Sequence, residues 1–539
     1  MSRRVIIGPP GTGKTSYLIG RTLPDGGVMP GIVSDLLRQG HAPESIAFVS
    51  YSRAAVREAR DRVERCTGIP AALFANFRTL HSSWARRLDL GPNAFLTAHD
   101  FRAFAQAIAT GITPHDEDET DDGLPMLGDD DGDILLRAYD WTRATMRPLS
   151  DAIGRIGRLS LGDLESFVSD YEAFKSGIGK VDHTDIVSLA RDRRLTLGCP
   201  IVLVDEAQDL SPLQVETLRL SIQEATHVWV VGDPDQAIYE FQGASPAWLR
   251  SLWDTWPRQV LDKSNRCPEP VRRAAAMVIA NSTDRLPIEY RAREGDGEYH
   301  GAIDQVEAMA IVSQAPEACM LLARTGRQCG TLARMLFDAR IPYLATRGSG
   351  PNPFANTKLV RAITTLADLA NGRGVLFDDL AVTLEFVPHD TDHGAHFGWL
   401  KHGQKAAIRR EVGIFDPRRA EAYDLQAFLE AVQRDFWSVL APNAKRHADG
   451  RCELDYLHDL WASGRWNRPR HEITTWHNAK GREADTVIID PTYSRPCHDT
   501  LMSSEADSEH RAAYVAVTRA RRRCFVLARS SRYSYPFPY

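Results

Sequence analysis

The segment Gly8-Pro-Pro-Gly-Thr-Gly-Lys-Thr15 constrains this chain more than any other. The β-branched run Val5-Ile6-Ile7 precedes it and a helical pattern opens at Ser16, which is the strand–loop–helix setting that G-x-x-x-x-G-K-[ST] needs. Gly8, Gly11 and Gly13 let backbone N–H groups turn towards phosphate oxygens with no Cβ in the way, Pro10 and Thr12 complete the loop, and the helix N-terminus adds its positive end. Lys14 is then placed to reach the β- and γ-phosphates, and Thr15 to offer its hydroxyl to Mg²⁺.

Such a loop needs a carboxylate for its metal. The apolar run Ile201 to Val204 leads straight into Asp205-Glu206-Ala207-Gln208-Asp209, so Asp205 falls at the carboxyl end of a buried strand. Asp205 would hold Mg²⁺ through water, and Glu206 would accept a proton from the attacking water. Further strand-like runs, Ile46 to Ser50 and Val228 to Val231, alternate with helical patterns, which predicts an α/β domain built on a parallel sheet.

At 539 residues several domains are expected. From Met320 a second α/β unit opens, and it resumes near Ile473 with strands at Val487 to Asp490 and Cys524 to Ala528. Each core is interrupted by helical sequence, between Leu88 and Leu195 and between Leu376 and Trp466. The predicted layout is therefore a first core at 1–87 and 196–262 with an insertion at 88–195, then a second core at 263–375 and 467–539 with a short insertion at 376–466. The acidic stretch Asp116 to Asp133 reads as a solvated loop rather than a metal site.

The eight cysteines include no C-x-x-C pair, so buried free thiols are expected. A formal charge of -6 argues against coating nucleic acid by bulk attraction but leaves room for local basic grooves. The start lacks a signal-peptide pattern and no apolar run is long enough for a bilayer, so a cytoplasmic location without membrane contact is expected.

DEAQD resembles the second motif of UvrD/Rep-type superfamily 1 DNA helicases, and the other motifs follow in that family's order. SYSRAAV from Ser50 is similar to motif Ia, TLHS from Thr79 to Ib, GDPDQAIYEFQGA from Gly232 to III, NRCPEPV from Asn265 to IV, TTWHNAKGREAD from Thr474 to V and AYVAVTRA from Ala513 to VI. The resemblance implies two RecA-like domains, each with a mainly helical insertion, ATP in the cleft between them and DNA across their top. It assigns Gln236 to sensing the γ-phosphate or positioning water, Glu483 to the nucleotide, and Arg266 and Arg519, coming from the second domain, to stabilising the transferring phosphate. It also implies 3′→5′ movement on single-stranded DNA, action at single-strand/duplex junctions, and a monomer in isolation.

A motor that ignores sequence can stack bases on aromatic rings and hold the backbone. Tyr51, Tyr239 and Phe241 are the candidate stacking residues; Arg53, Thr79, His81, Thr475 and His477 are the candidates for phosphate or sugar contacts. Three departures stand out. Phe241-Gln242 replaces the usual tryptophan-arginine, Asn265 replaces an aromatic before the motif IV arginine, and seven residues before Gly8 leave no expected segment for an upstream glutamine that reads adenine.

Overall fold

The structure is a computed structural model that describes residues 2–113, 130–156, 159–346, 350–387, 404–440, 451–466 and 469–539. The chain folds as two compact units, Met1–Glu298 with Asp499–Arg522, and Tyr299–His498 with Arg523–Tyr539.

The first unit is built on a six-stranded sheet in the order Phe77–Thr79, Ile46–Ser50, Ile201–Val204, His227–Gly232, Ser2–Ile7, Arg258–Val260. Every neighbouring pair is parallel. The strands are apolar on both faces, as a sheet covered on both sides requires. Val5, Ile7, Ala47, Val49, Val202, Val204, Val228 and Val230 feed one core, while Ile6, Ile46, Phe48, Ile201, Leu203 and Val231 feed the other. Parallel strands end on one common edge, and Gly8, Tyr51, Asp205 and Asp233 each follow a strand there.

A separate core of Leu96, Phe101, Phe104, Leu135, Leu136, Trp141, Leu164, Phe167 and Tyr171 holds the helices that interrupt this sheet in sequence. Between them lies a buried charge network. Lys175, 2% exposed, reaches Glu172, Asp182 and Asp185 at 2.8, 2.9 and 2.7 Å, and Arg143 reaches Asp182 and Asp185 at 2.8 and 2.9 Å. Most of the acidic stretch falls outside the described residues. Its end differs from the expected loop: Asp131 to Asp133 open the helix Asp131–Thr145, where carboxylates suit the positive helix end, and buried Asp133 accepts from the Thr113 N–H and hydroxyl at 2.9 and 2.7 Å.

The second six-stranded sheet runs Tyr343–Ala345, His471–Thr475, Cys319–Ala323, Ala484–Ile489, Ala520–Leu527, Glu298–Ile303. Its first four strands are mutually parallel. One core joins it to the helices Thr357–Ala370, Phe377–Thr383, Gln426–Asp435 and Glu453–Ala462, with Trp437 and Trp461 packed against it. Tyr535 and Phe537 are buried, with ring centroids 6.2 and 5.5 Å from that of fully buried Trp476. All eight cysteines are free thiols, six buried and two, Cys66 and Cys497, partly exposed. No helix among the described residues is long and apolar enough to cross a membrane.

Candidate nucleotide and nucleic-acid sites

The loop between the strand Ser2–Ile7 and the helix Lys14–Ile19 is shaped by its glycines at two points. A Cβ on Gly8 would sit 2.5 Å from the Lys14 side chain, and Gly11, at φ +72°, would put one 2.4 Å from the Cβ of Arg266. The segment Ser264 to Arg266 closes over the loop's outer side. The Ser264 hydroxyl donates to the Pro10 carbonyl at 2.8 Å, and the Asn265 N–H to the Gly11 carbonyl at 2.8 Å.

Lys14 donates to the Gly8 carbonyl at 3.1 Å and lies 3.8 Å from Glu206. The Thr15 hydroxyl donates to Asp205 at 2.7 Å. Burial, then the neighbouring Glu206 charge, pushes the Asp205 carboxyl up to about 6, against the opposing pull of Thr15 and Lys14. Hydroxyl and carboxylate are thus paired where a hydrated divalent cation with a triphosphate would take both, so the residues present fit Mg²⁺ and ATP. Glu206 occupies the left-handed region at φ +51°, a conformation that costs a residue with a Cβ and that recurs at functional turns.

From Glu206 a buried hydrogen-bond chain runs to Arg519. The Gln208 amide donates to Glu206 and accepts the Asp233 N–H at 2.9 Å. Asp233 accepts from the Gln236 amide at 2.6 Å, and Gln236 accepts from the Arg519 guanidinium at 3.1 Å. Gln208, Asp233, Gln236 and Arg519 are all at most 4% exposed. Burial pushes Asp233 up to about 6, though Lys14 opposes this. Arg519 also donates to the Val515 carbonyl at 2.8 Å, which holds it inside rather than on the surface. Gln208 and Asp233 were not assigned from sequence; their signal was a polar residue inside a motif that ends a buried strand. Arg266 reaches the Thr518 carbonyl at 3.4 Å and, like Arg519, packs within the first unit.

On the same edge Tyr51 and Tyr239 stack with ring centroids 5.3 Å apart, and the Tyr51 hydroxyl donates to Gln242 at 3.1 Å. Phe241, 6.4 Å from Tyr239, is 51% exposed. Arg53 opens the helix Arg53–Thr67 and is exposed. Thr79 caps the helix Leu80–Arg87 by accepting the Ser82 N–H at 3.3 Å. His81 packs edge-on to His183, and burial, with His183 and Arg53 nearby, pushes its imidazole down to about 3. A neutral His81 offers a hydrogen bond but no charge.

The remaining candidates lie in the second unit. Thr475 ends a strand, is buried and accepts the Asn478 N–H at 3.2 Å; His477 follows in the turn, and Glu483 is exposed before the strand Ala484–Ile489.

Residues 1–256 match the UvrD/REP helicase N-terminal domain, and residues 472–527 the UvrD-like helicase C-terminal domain. The chain belongs to the UvrD/Rep helicase family. Among relatives of this UvrD/Rep-family chain, the ATP-dependent DNA helicase PcrA of Leuconostoc citreum is 22% identical over 98% of the chain and 80% of its own length. The ATP-dependent DNA helicase UvrD2 of Mycobacterium bovis is 24% identical over 64% of the chain and 53% of its own length, and DNA helicase II of Escherichia coli 27% identical over 32% and 26%. The match thus spans about a quarter to a half of the length of the latter two relatives.

Proposed function

We propose that the chain is an ATP-driven motor that moves 3′→5′ on single-stranded DNA and opens duplex at junctions. The observation that carries this reading is the buried chain Glu206–Gln208–Asp233–Gln236–Arg519, which ties the residue next to the metal carboxylate to an arginine more than half the sequence away. Lys14 and the loop Gly8 to Thr15 bind the triphosphate, and Thr15 with Asp205 holds Mg²⁺, which when bound neutralises charge on the phosphates. Glu206 takes the proton of the attacking water, Gln236 positions that water, and Arg266 and Arg519 stabilise charge on the transferring group. Glu483 completes the nucleotide contacts.

Tyr51, Tyr239 and Phe241 supply stacking surface, with Arg53, Thr79, His81, Thr475 and His477 along the backbone. The subdomain layout read from sequence, two RecA-like cores with insertions at 88–195 and 376–466, belongs to the same proposal, as do a cytoplasmic location and a monomeric state. Strand displacement on 3′-tailed and 5′-tailed duplexes with ATP tests it. Unwinding of the 3′-tailed substrate alone is expected. DNA-stimulated hydrolysis without displacement of either would replace the motor by a DNA-sensing ATPase.

A further inference from the structure

Three guanidinium groups converge on one short loop at the outer edge of the first sheet, and none has a counter-ion among the described residues. The edge strand Phe77–Thr79 carries Arg78, the helix that follows it carries Arg86, and the helix Arg53–Thr67 contributes Arg60. Arg78 donates through Nε to the Ala75 carbonyl at 2.8 Å and through Nη1 to the Ser82 hydroxyl at 3.2 Å. Arg86 reaches the same Ala75 carbonyl at 3.5 Å, and Arg60 the Phe74 carbonyl at 3.5 Å. Among the described residues no carboxylate pairs with any of the three, and the buried Arg60 Nε has no hydrogen-bond partner.

Gathering like charges without an anion is unfavourable. Arg78 registers this: burial first, then Arg86 and Arg60, lower its affinity for its proton. In a chain of net charge -6 the arrangement is not a by-product of a basic surface. Each guanidinium keeps further N–H donors beyond those already engaged with the loop carbonyls and Ser82, in the planar fork that matches phosphate oxygens. The neighbours fix the direction, because Ser82, which holds Arg78, lies in the same segment as Thr79 and His81.

We propose that Arg60, Arg78 and Arg86 form a phosphodiester-backbone site that extends the nucleic-acid track beyond Thr79 and His81 along the outer edge of the first sheet. The site rests on the DNA reading above but adds a contact that only a strand running past the motif residues can reach. It reads backbone and not bases, so it is indifferent to sequence.

The test measures binding of the full chain to a short oligonucleotide of about eight nucleotides and a long one of about twenty-four across a salt series. With the long strand, replacing all three (Arg60→Gln, Arg78→Gln, Arg86→Gln) should weaken binding about tenfold and flatten the log–log salt slope by about 2, close to 0.7 per lost phosphate contact on single strands. The short strand should bind as in the parent chain. Arg86→Gln alone, at an exposed position that leaves packing intact, should flatten the long-strand slope by about 0.7. Equal loss on both lengths, or no loss on either, overturns the arginine site and leaves the motor reading in place. A parent chain that binds neither strand overturns both.

Discussion

At the scale of single residues, position relative to the phosphate loop separates binding from chemistry. Lys14 touches the loop it closes and on the proposed reading would touch the phosphates, whereas Glu206, one residue past Asp205, would act on the attacking water. Lys14→Ala should therefore lose nucleotide affinity, while Glu206→Gln should keep it within a few-fold and still abolish DNA-stimulated hydrolysis. Equilibrium binding and steady-state turnover on the same preparations check this; equal loss of affinity in both would contradict the assignment. His81 gives a prediction of a different kind. Its proton affinity in the folded chain lies at about 3, below the ordinary histidine value, so the unfolded chain binds the extra proton first. The stability this group contributes is full above about pH 6.5 and is lost as pH falls towards 3, roughly 2 kcal/mol of it by pH 5. His81→Gln should flatten the fall of melting temperature between pH 7 and 5. An unchanged acid slope in the variant would take the effect away from this imidazole.

At the scale of elements, the inserted helices are held together by charge as much as by their apolar core. Burial alone would raise the Asp182 carboxyl, but Arg143 and Lys175 overcome it and hold that group well below the ordinary range. The same side chain caps the helix His183–Asp192, so one carboxylate joins three helices. The acidic trio Glu172, Asp182 and Asp185 is close enough to suit a cation, yet the Lys175 ammonium already lies within 2.9 Å of all three. Lys175→Met leaves Arg143 as the one remaining cation on Asp182 and Asp185 and should destabilise this region by about 3 kcal/mol, the low end for breaking a buried pair. Hydrogen exchange should show early opening of Leu161–Ile178 and His183–Asp192, with the nucleotide loop still protected. Protection unchanged in those helices would mean that the apolar core alone holds them.

At the scale of the whole molecule, what the sequence revealed and what it hid follow from range. The phosphate loop, Asp205 and Glu206 were legible because each is a local pattern, a buried strand running into a polar turn. Both sheets were foreseeable for the same reason, but the strands Phe77–Thr79 and Arg258–Val260 were not, since three residues carry no periodicity. Gln208 and Asp233 escaped because their role lies in partners from separate strands. The arginines at 60, 78 and 86 look like ordinary surface charge until the fold gathers them. Least legible of all was that 263–298 and 499–522 pack with the first unit, which no local pattern can announce. That connectivity has a consequence in time. Synthesis runs from the N-terminus, and domains generally begin to fold as they emerge. The helix Ala506–Val517, which packs against Glu269–Ile279, and Arg519, which Gln236 awaits, leave the ribosome long after their partners. The loop Gly8 to Thr15 is made well before Arg519, so on the proposed reading the nascent chain stays silent until that arginine has emerged. Chains arrested ahead of Asp499 should hydrolyse no ATP and stay open to protease around Glu269–Ile279, and both should change together once Arg522 has cleared the exit tunnel.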